Sequence, residues 1–152
     1  VSQLANHNIG DRVRLSIGAK GSRLNSGPVE GEFELLSRSD GRFTLEDRHS
    51  HLASMYGVHI NMGPSAVVQI GGVRVLLTSR KTPPFDLGQL RSQGIVPEHA
   101  QIIGVKAAVA HRRDYDPITA ASFTIDTPGP CSSNLRTFPF TKIRRPIYPL
   151  DE

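Results

Sequence analysis

The chain contains no tryptophan, one cysteine and three tyrosines, and aromatic residues make up only 6% of it. With so few rings, and none interleaved among the basic residues, it lacks the stacking platform of a single-strand nucleic-acid binder. The lone Cys131 cannot close an internal disulfide, so a reducing, cytoplasmic setting is the expectation. No apolar run approaches the roughly 18 residues of a membrane span, and the first residues lack the basic-then-apolar layout of a secretion signal. The charge excess is small and diffuse, 18 basic against 14 acidic side chains for a net +4, which calls for neither nucleic acid nor membrane as partner. What remains is an ordinary soluble composition: 152 residues, 38% hydrophobic and 21% charged, with 14 Gly and 11 Pro. That is the size of one domain.

Local periodicity predicts a sheet built mainly of hairpins. Val13, Leu15 and Ile17 alternate with Arg12, Arg14 and Ser16 as in a half-buried strand, and a loop over 18–28 follows. Val29, Phe33 and Leu35 then alternate with Glu30, Glu32 and Glu34, which lets the arginines of the first strand face the glutamates of the second. Ser39-Asp40-Gly41 offers a turn into Phe43 and Leu45, and the His-rich, poorly periodic stretch 46–64 reads as a long connection over the surface. The clearest signal comes next. Ala66, Val68 and Ile70 alternate up to Gly71-Gly72, and Val73, Val75 and Leu77 alternate away from it, predicting a two-residue hairpin in which both glycines supply positive φ.

Beyond Thr82-Pro83-Pro84 the signals are helical. Asp86 as cap, Gln89 as the reciprocal partner and Gly94 as terminator predict a short helix over 87–92. The apolar run 101–105 reads as a strand, Asp116-Pro117 as the start of a helix reaching Ser122, and Phe123 with Ile125 as another strand. Strand, helix and strand over 101–126 would make one right-handed crossover. The expected class is therefore α+β: a mostly antiparallel, hairpin-rich sheet with one crossover and few short helices, all in a single domain, 1–152. The tail, 131–152, with Pro139, Pro146 and Pro149, reads as an extended wrapping segment.

Few residues suggest chemistry. Asp47, His49, His51 and His59 carry the right donors for zinc, two of the imidazoles standing at i and i+2 on an extended stretch. Solvated loop histidines are the plainer reading, since the chain has no HExxH and no CxxC. Cys131 has no placeable base and there is no Gly-x-Ser-x-Gly elbow, so a nucleophilic triad is unsupported. Gly18-Ala19-Lys20-Gly21-Ser22 lacks the spacing and the helix of a phosphate loop. Basic residues cluster within Thr78-Ser79-Arg80-Lys81 and again at Lys106 with Arg112-Arg113, and the two groups could line one sheet edge. Such an edge would suit an anionic or peptide-terminal group, unless its cations are spent on solvent or on Asp86, Asp114 and Asp116.

A colinear series of short motifs carries more than any of these. It runs Asn61-Met62-Gly63-Pro64-Ser65-Ala66-Val67, Gly71-Gly72-Val73, Leu77-Thr78-Ser79-Arg80, Pro84-Phe85-Asp86, Gly94-Ile95-Val96-Pro97, Val105-Lys106 and Asp126-Thr127-Pro128-Gly129. It closes with Arg144-Arg145-Pro146-Ile147-Tyr148-Pro149-Leu150-Asp151. This order resembles the C-terminal domain of the microcystinase C (MlrC) family of zinc metallopeptidases, over about residues 10–151.

The resemblance implies a segment of a larger hydrolase whose preceding domain binds the zinc, with a linear peptide or small amide as substrate. The family's named member cleaves a linear peptide formed as microcystin is degraded. In the family, the segment after the 101–105 strand reads Lys-Ser, two residues, then His-Phe-Arg. Here Lys106 and Arg112 match, Ala107 replaces the Ser, Ala110 stands where the His is expected and His111 is displaced by one place. Lys106 and Arg112, with Arg80 and Ser79, are thus the expected substrate-binding residues, and no complete catalytic set lies within the chain. The alternative is a non-catalytic interaction or assembly domain with a basic anion-binding edge, and homo-oligomerisation is compatible with either.

Overall fold

A computed structural model describes residues 1–19, 27–127 and 134–151, and these fall into two units. Cys131, the Lys20-Gly21-Ser22 part of the rejected phosphate loop and Pro128-Gly129 of the motif series lie outside the described residues. The first unit comprises residues 1–16 and 30–122. Its sheet has the order β1 (Arg12–Ile17), β2 (Val29–Ser39), β5 (Ser65–Ile70) and β6 (Val73–Thr78). A smaller ladder pairs β3 (Arg42–Thr44) antiparallel with β4 (His59–Asn61). The α+β expectation is borne out in this mostly antiparallel arrangement with few short helices.

The Gly71-Gly72 hairpin forms as the alternation requires, with Ile70 opposite Val73 and the pairing continuous to Ser65 opposite Thr78. Only Gly71 takes positive φ, +55°, so the turn has the sign pattern of type II′ rather than needing both glycines. Strand β5 lies between β2 and β6, and its residues Ser65, Ala66, Val67 and Val68 are all buried. Alternation therefore fails to mark its core positions, because both of its faces are covered. Leu35 opposes Val68, so Phe33, Leu35 and Val68 share one face. Val67 opposes Leu76 on the other. A register shift between Leu35 and Ser37 leaves Leu36 as the extra residue of a β-bulge. Of the expected cross-strand charge pairs, Arg12 meets Glu32 at 3.9 Å, a weak exposed contact.

Residues 46–64 are more than a surface connection. Ser50 caps the helix α1 (His51–Tyr56), its hydroxyl accepting from the Ala53 N–H. Leu52 from α1, Ile60 and Met62 from β4 and its exit, and Leu45 form a buried cluster against which Phe43, Leu76 and Phe85 pack. The histidines hid this cluster, because its elements are only three to six residues long.

Helix α2 (Gly88–Arg91) forms where Asp86 and Gly94 place it, and Ile95 N–H returns to the Leu90 carbonyl to close its end. The following helix stands earlier than expected: α3 (Arg112–Tyr115) leads into a 3-10 turn over Asp116–Ile118, so Asp116-Pro117 continues a helical run instead of starting one. Pro117 fits because the first positions of a turn need no N–H donor. Neither 101–105 nor 123–126 is a strand, so the expected crossover does not form; both lack regular secondary structure and have no ladder partner among the described residues. The second unit, residues 17–29 and 123–152, holds a 3-10 turn over Leu135–Thr137. It also has a closed loop in which Arg145 pairs with Asp151 and the Asp151 carboxylate accepts from the Ile147 N–H at 2.8 Å. The extended tail expected from its prolines is thus interrupted twice. No helix among the described residues is long and apolar enough to cross a membrane.

Candidate functional site

The exit of β6 and the β3–β4 ladder meet at an open groove of about 210 Å³. Buried Leu52 and Ile60 line its floor, and Tyr56, His59, Asn61, Arg80, Lys81, Thr82 and Pro83 complete the lining. Its basic wall is fixed by backbone bonds. The Arg80 N–H donates to the Met62 carbonyl at 2.8 Å, and the Arg80 carbonyl accepts from the hydroxyls of Thr78 at 3.0 Å and Thr82 at 3.2 Å. Beside it in the lining, the Asn61 side-chain oxygen accepts from Gly63 N–H at 2.8 Å, which leaves the amide nitrogen of Asn61 with its donors. His59 contacts the Thr44 hydroxyl at 3.2 Å across the ladder. Among the described residues neither Arg80 nor Lys81 is in an ion pair, so the groove presents two uncompensated cations over an apolar floor. That chemistry suits a carboxylate or a polarised carbonyl on a partly apolar ligand.

The groove takes in Arg80 but not the other expected binding residues. The Ser79 hydroxyl is turned to the Pro64 carbonyl, to which it donates at 2.6 Å. Lys106 is exposed on the irregular segment before α3, and Arg112 is exposed at the start of α3. Because 101–105 does not join the sheet, the shared edge expected to gather both basic groups is absent from the described strands. Lys81 belongs to the basic group expected at the sheet edge, whereas Asn61 and Tyr56 were not expected as binding residues. No sequence signal links those two to the basic group.

The zinc donors are likewise dispersed. Asp47 pairs with Arg113 at 2.5 Å and accepts from the His49 N–H at 2.8 Å, while the His51 ring lies 6.4 Å from Phe85 and His59 is turned to Thr44. No group of three or more His, Cys, Asp or Glu among the described residues could hold a metal ion. The donors here do not fit a zinc shell.

A carboxylate cluster supports the segment bearing Asp47. Asp86 is fully buried; one oxygen accepts from the N–H groups of Glu46 and Asp47, and the other from that of Gly88. Burial, with the nearby charges of Asp86 and Asp47, pushes the Asp114 carboxyl up to about 6 from 3.8, against the lowering effect of Arg113. Burial likewise pushes the Tyr115 phenol up to about 12, with Asp114 and Asp86 adding to the rise. The folded state therefore favours neutral Asp114 and binds more protons than the unfolded chain between these two carboxyl values. Stability should fall as pH rises from about 4 to about 6 and level off above that. Asp114 is partly solvated, so screening leaves the effect near 1 kcal/mol. Thermal melts across that range should show a flatter profile and a higher Tm at pH 7 for Asp114→Asn; an unchanged profile would assign the pH response elsewhere.

No curated protein matches the chain. The crystal structure of a candidate metallopeptidase from Mesorhizobium sp. BNC1 is similar, with a TM-score of 0.75 and 26% identity over 95% of this chain and 28% of that one. The chain thus spans less than a third of that relative's length. The family model of the MlrC C-terminus matches residues 1–142, nearly the whole of the chain, and the protein belongs to the MlrC C-terminal family.

Proposed function

We propose that this chain is the C-terminal domain of a zinc-dependent metallopeptidase or amidohydrolase, where it completes the cleft in which a linear peptide or amide is hydrolysed. The observation that carries this reading is the groove in which Arg80 and Lys81, in no ion pair among the described residues, share the lining with Leu52 and Ile60. Family membership and the similarity to a candidate metallopeptidase support it. Zinc, bound by the preceding domain, would supply the activated water. The residues of this chain bind and orient. Arg80 offers a planar fork to a substrate carboxylate or carbonyl, Lys81 adds a point charge, and the apolar floor takes an adjacent side chain. Lys106 and Arg112 are the cations that a second part of an extended substrate would reach.

The test is steady-state kinetics of the full-length enzyme, with linearised microcystin as the first substrate. Arg80→Ala should raise KM or lower kcat tenfold or more, about 1.4 kcal/mol of lost interaction, and Lys106→Ala should do the same if the second contact is made. A rise in KM alone would identify uniform binding, and a fall in kcat alone a contact made in the transition state. Unchanged kinetics in both variants would remove this domain from the cleft.

A further inference from the structure

Residues 101–106 have the alternating burial of an edge strand and no ladder pairing among the described residues. Along Gln101–Ala107 the burial alternates: Ile103, Val105 and Ala107 are half-buried against their own unit, and Ile102, Gly104 and Lys106 are exposed. Ile102 is 90% exposed and Val109 70%. Among the described residues, the backbone from Gln101 to Gly104 makes no hydrogen bond. Beyond it, a tight turn closes the segment, with the Ala107 N–H donating to the Val105 carbonyl at 3.1 Å.

Gly104 is an independent sign. It has no positive φ, and a Cβ placed on it would meet nothing within 4 Å, so neither backbone conformation nor crowding in this unit calls for glycine. Glycine within a strand often marks close approach by another backbone, and a row of unpaired N–H and C=O groups is a template for strand addition.

We infer that residues 101–106 pair as an edge strand with a strand of the remainder of a longer polypeptide, which covers Ile102 and passes close over Gly104. This rests on the reading that the chain is one domain of a larger hydrolase. The length of the similar metallopeptidase supports that occupant, since more than two thirds of that chain lies outside the matched region. A second copy is a poorer occupant. Antiparallel self-pairing centred on Gly104 would set each Lys106 opposite the other copy's Ile102, a charge against an apolar side chain.

The test is amide hydrogen exchange on the protein expressed from its complete reading frame, with metal content and peptide hydrolysis measured on the same sample. Alternate amides within 102–106, those facing the partner strand, should exchange at least 100-fold more slowly than unstructured reference rates. Gly104→Val, which has room in this unit, should raise those rates at least tenfold while leaving Val67 and Val68 of β5 protected. Reference rates at 102–106 overturn the pairing, as does a reading frame that adds no further domain. Protection that appears only as the protein dimerises assigns the strand to a second copy and also overturns it. Protection without metal or hydrolysis supports the pairing and sinks the hydrolase reading; reference rates beside normal hydrolysis sink the pairing alone.

Discussion

Asp86→Ala should lower the free energy of unfolding by about 3–5 kcal/mol, because one buried carboxylate satisfies three backbone donors. The Gly88 bond is buried and the other two partly so. Each stranded N–H costs about 1–3 kcal/mol unless water reaches it, and alanine leaves no oxygen in its place. The loss should appear as a lower denaturant midpoint at unchanged slope, the mark of reduced stability without a change in the surface exposed. Asp86→Asn should fall between wild type and alanine. Its oxygen can still accept from Gly88, but its NH2 would then face the N–H groups of Glu46 and Asp47.

A second readout separates charge from hydrogen bonding. Asp86 is among the causes that raise Asp114, so both substitutions should bring the Asp114 carboxyl back toward its ordinary value and shrink the stability slope between about pH 4 and 6. A stability loss below about 1 kcal/mol in Asp86→Ala would mean that solvent takes over all three donors.

Asp86 also shows where sequence reading reached its limit. Its role at the start of α2 was legible, because an acidic residue before a short helical pattern and a glycine after it make a local signal. Its bonds to residues 46 and 47 were not, since they join positions about forty apart. The same division holds for the sheet. The β5–β6 hairpin is written into adjacent residues, whereas the second buried cluster comes from Leu45, Leu52, Ile60 and Met62 on elements too short to show a period. The apolar runs at 101–105 and 123–126 carry strand-like composition, but pairing depends on a neighbouring strand and none is present among the described residues. At the groove, Arg80 was legible from a basic run after a strand. Tyr56, Asn61 and His59 join it only through the α1 turn and the β3–β4 register.

Gly41→Ala should be nearly as damaging, for a reason that reaches the groove. Gly41 has φ of +70°, and a Cβ on it would stand 2.0 Å from the Gly63 carbonyl oxygen and 2.7 Å from the Ser65 hydroxyl. The left-handed conformation alone costs a non-glycine residue roughly 1–2 kcal/mol. The contact with the Gly63 carbonyl is with backbone, so it cannot be relieved by a rotamer change, and a total of about 2–4 kcal/mol is expected. Gly10→Ala is the control: it also has positive φ, +93°, but nothing lies within 4 Å of the added carbon, so it should report the conformational cost without the collision. The displacement caused at Gly41 has a defined route. The Gly41 carbonyl accepts from the Met62 N–H at 2.8 Å, and the Met62 carbonyl accepts from the Arg80 N–H at 2.8 Å. Backbone pushed away at 41 and 63 therefore moves the residue that carries the groove's guanidinium, whose Cγ already lies 3.1 Å from a Cβ built on Gly63. In the full-length enzyme, assayed well below its melting temperature, Gly41→Ala should raise KM in the direction of Arg80→Ala, while Gly10→Ala should not. Equal kinetics in the two glycine variants would show that the ladder from Gly41 to Arg80 absorbs the shift before it reaches the substrate.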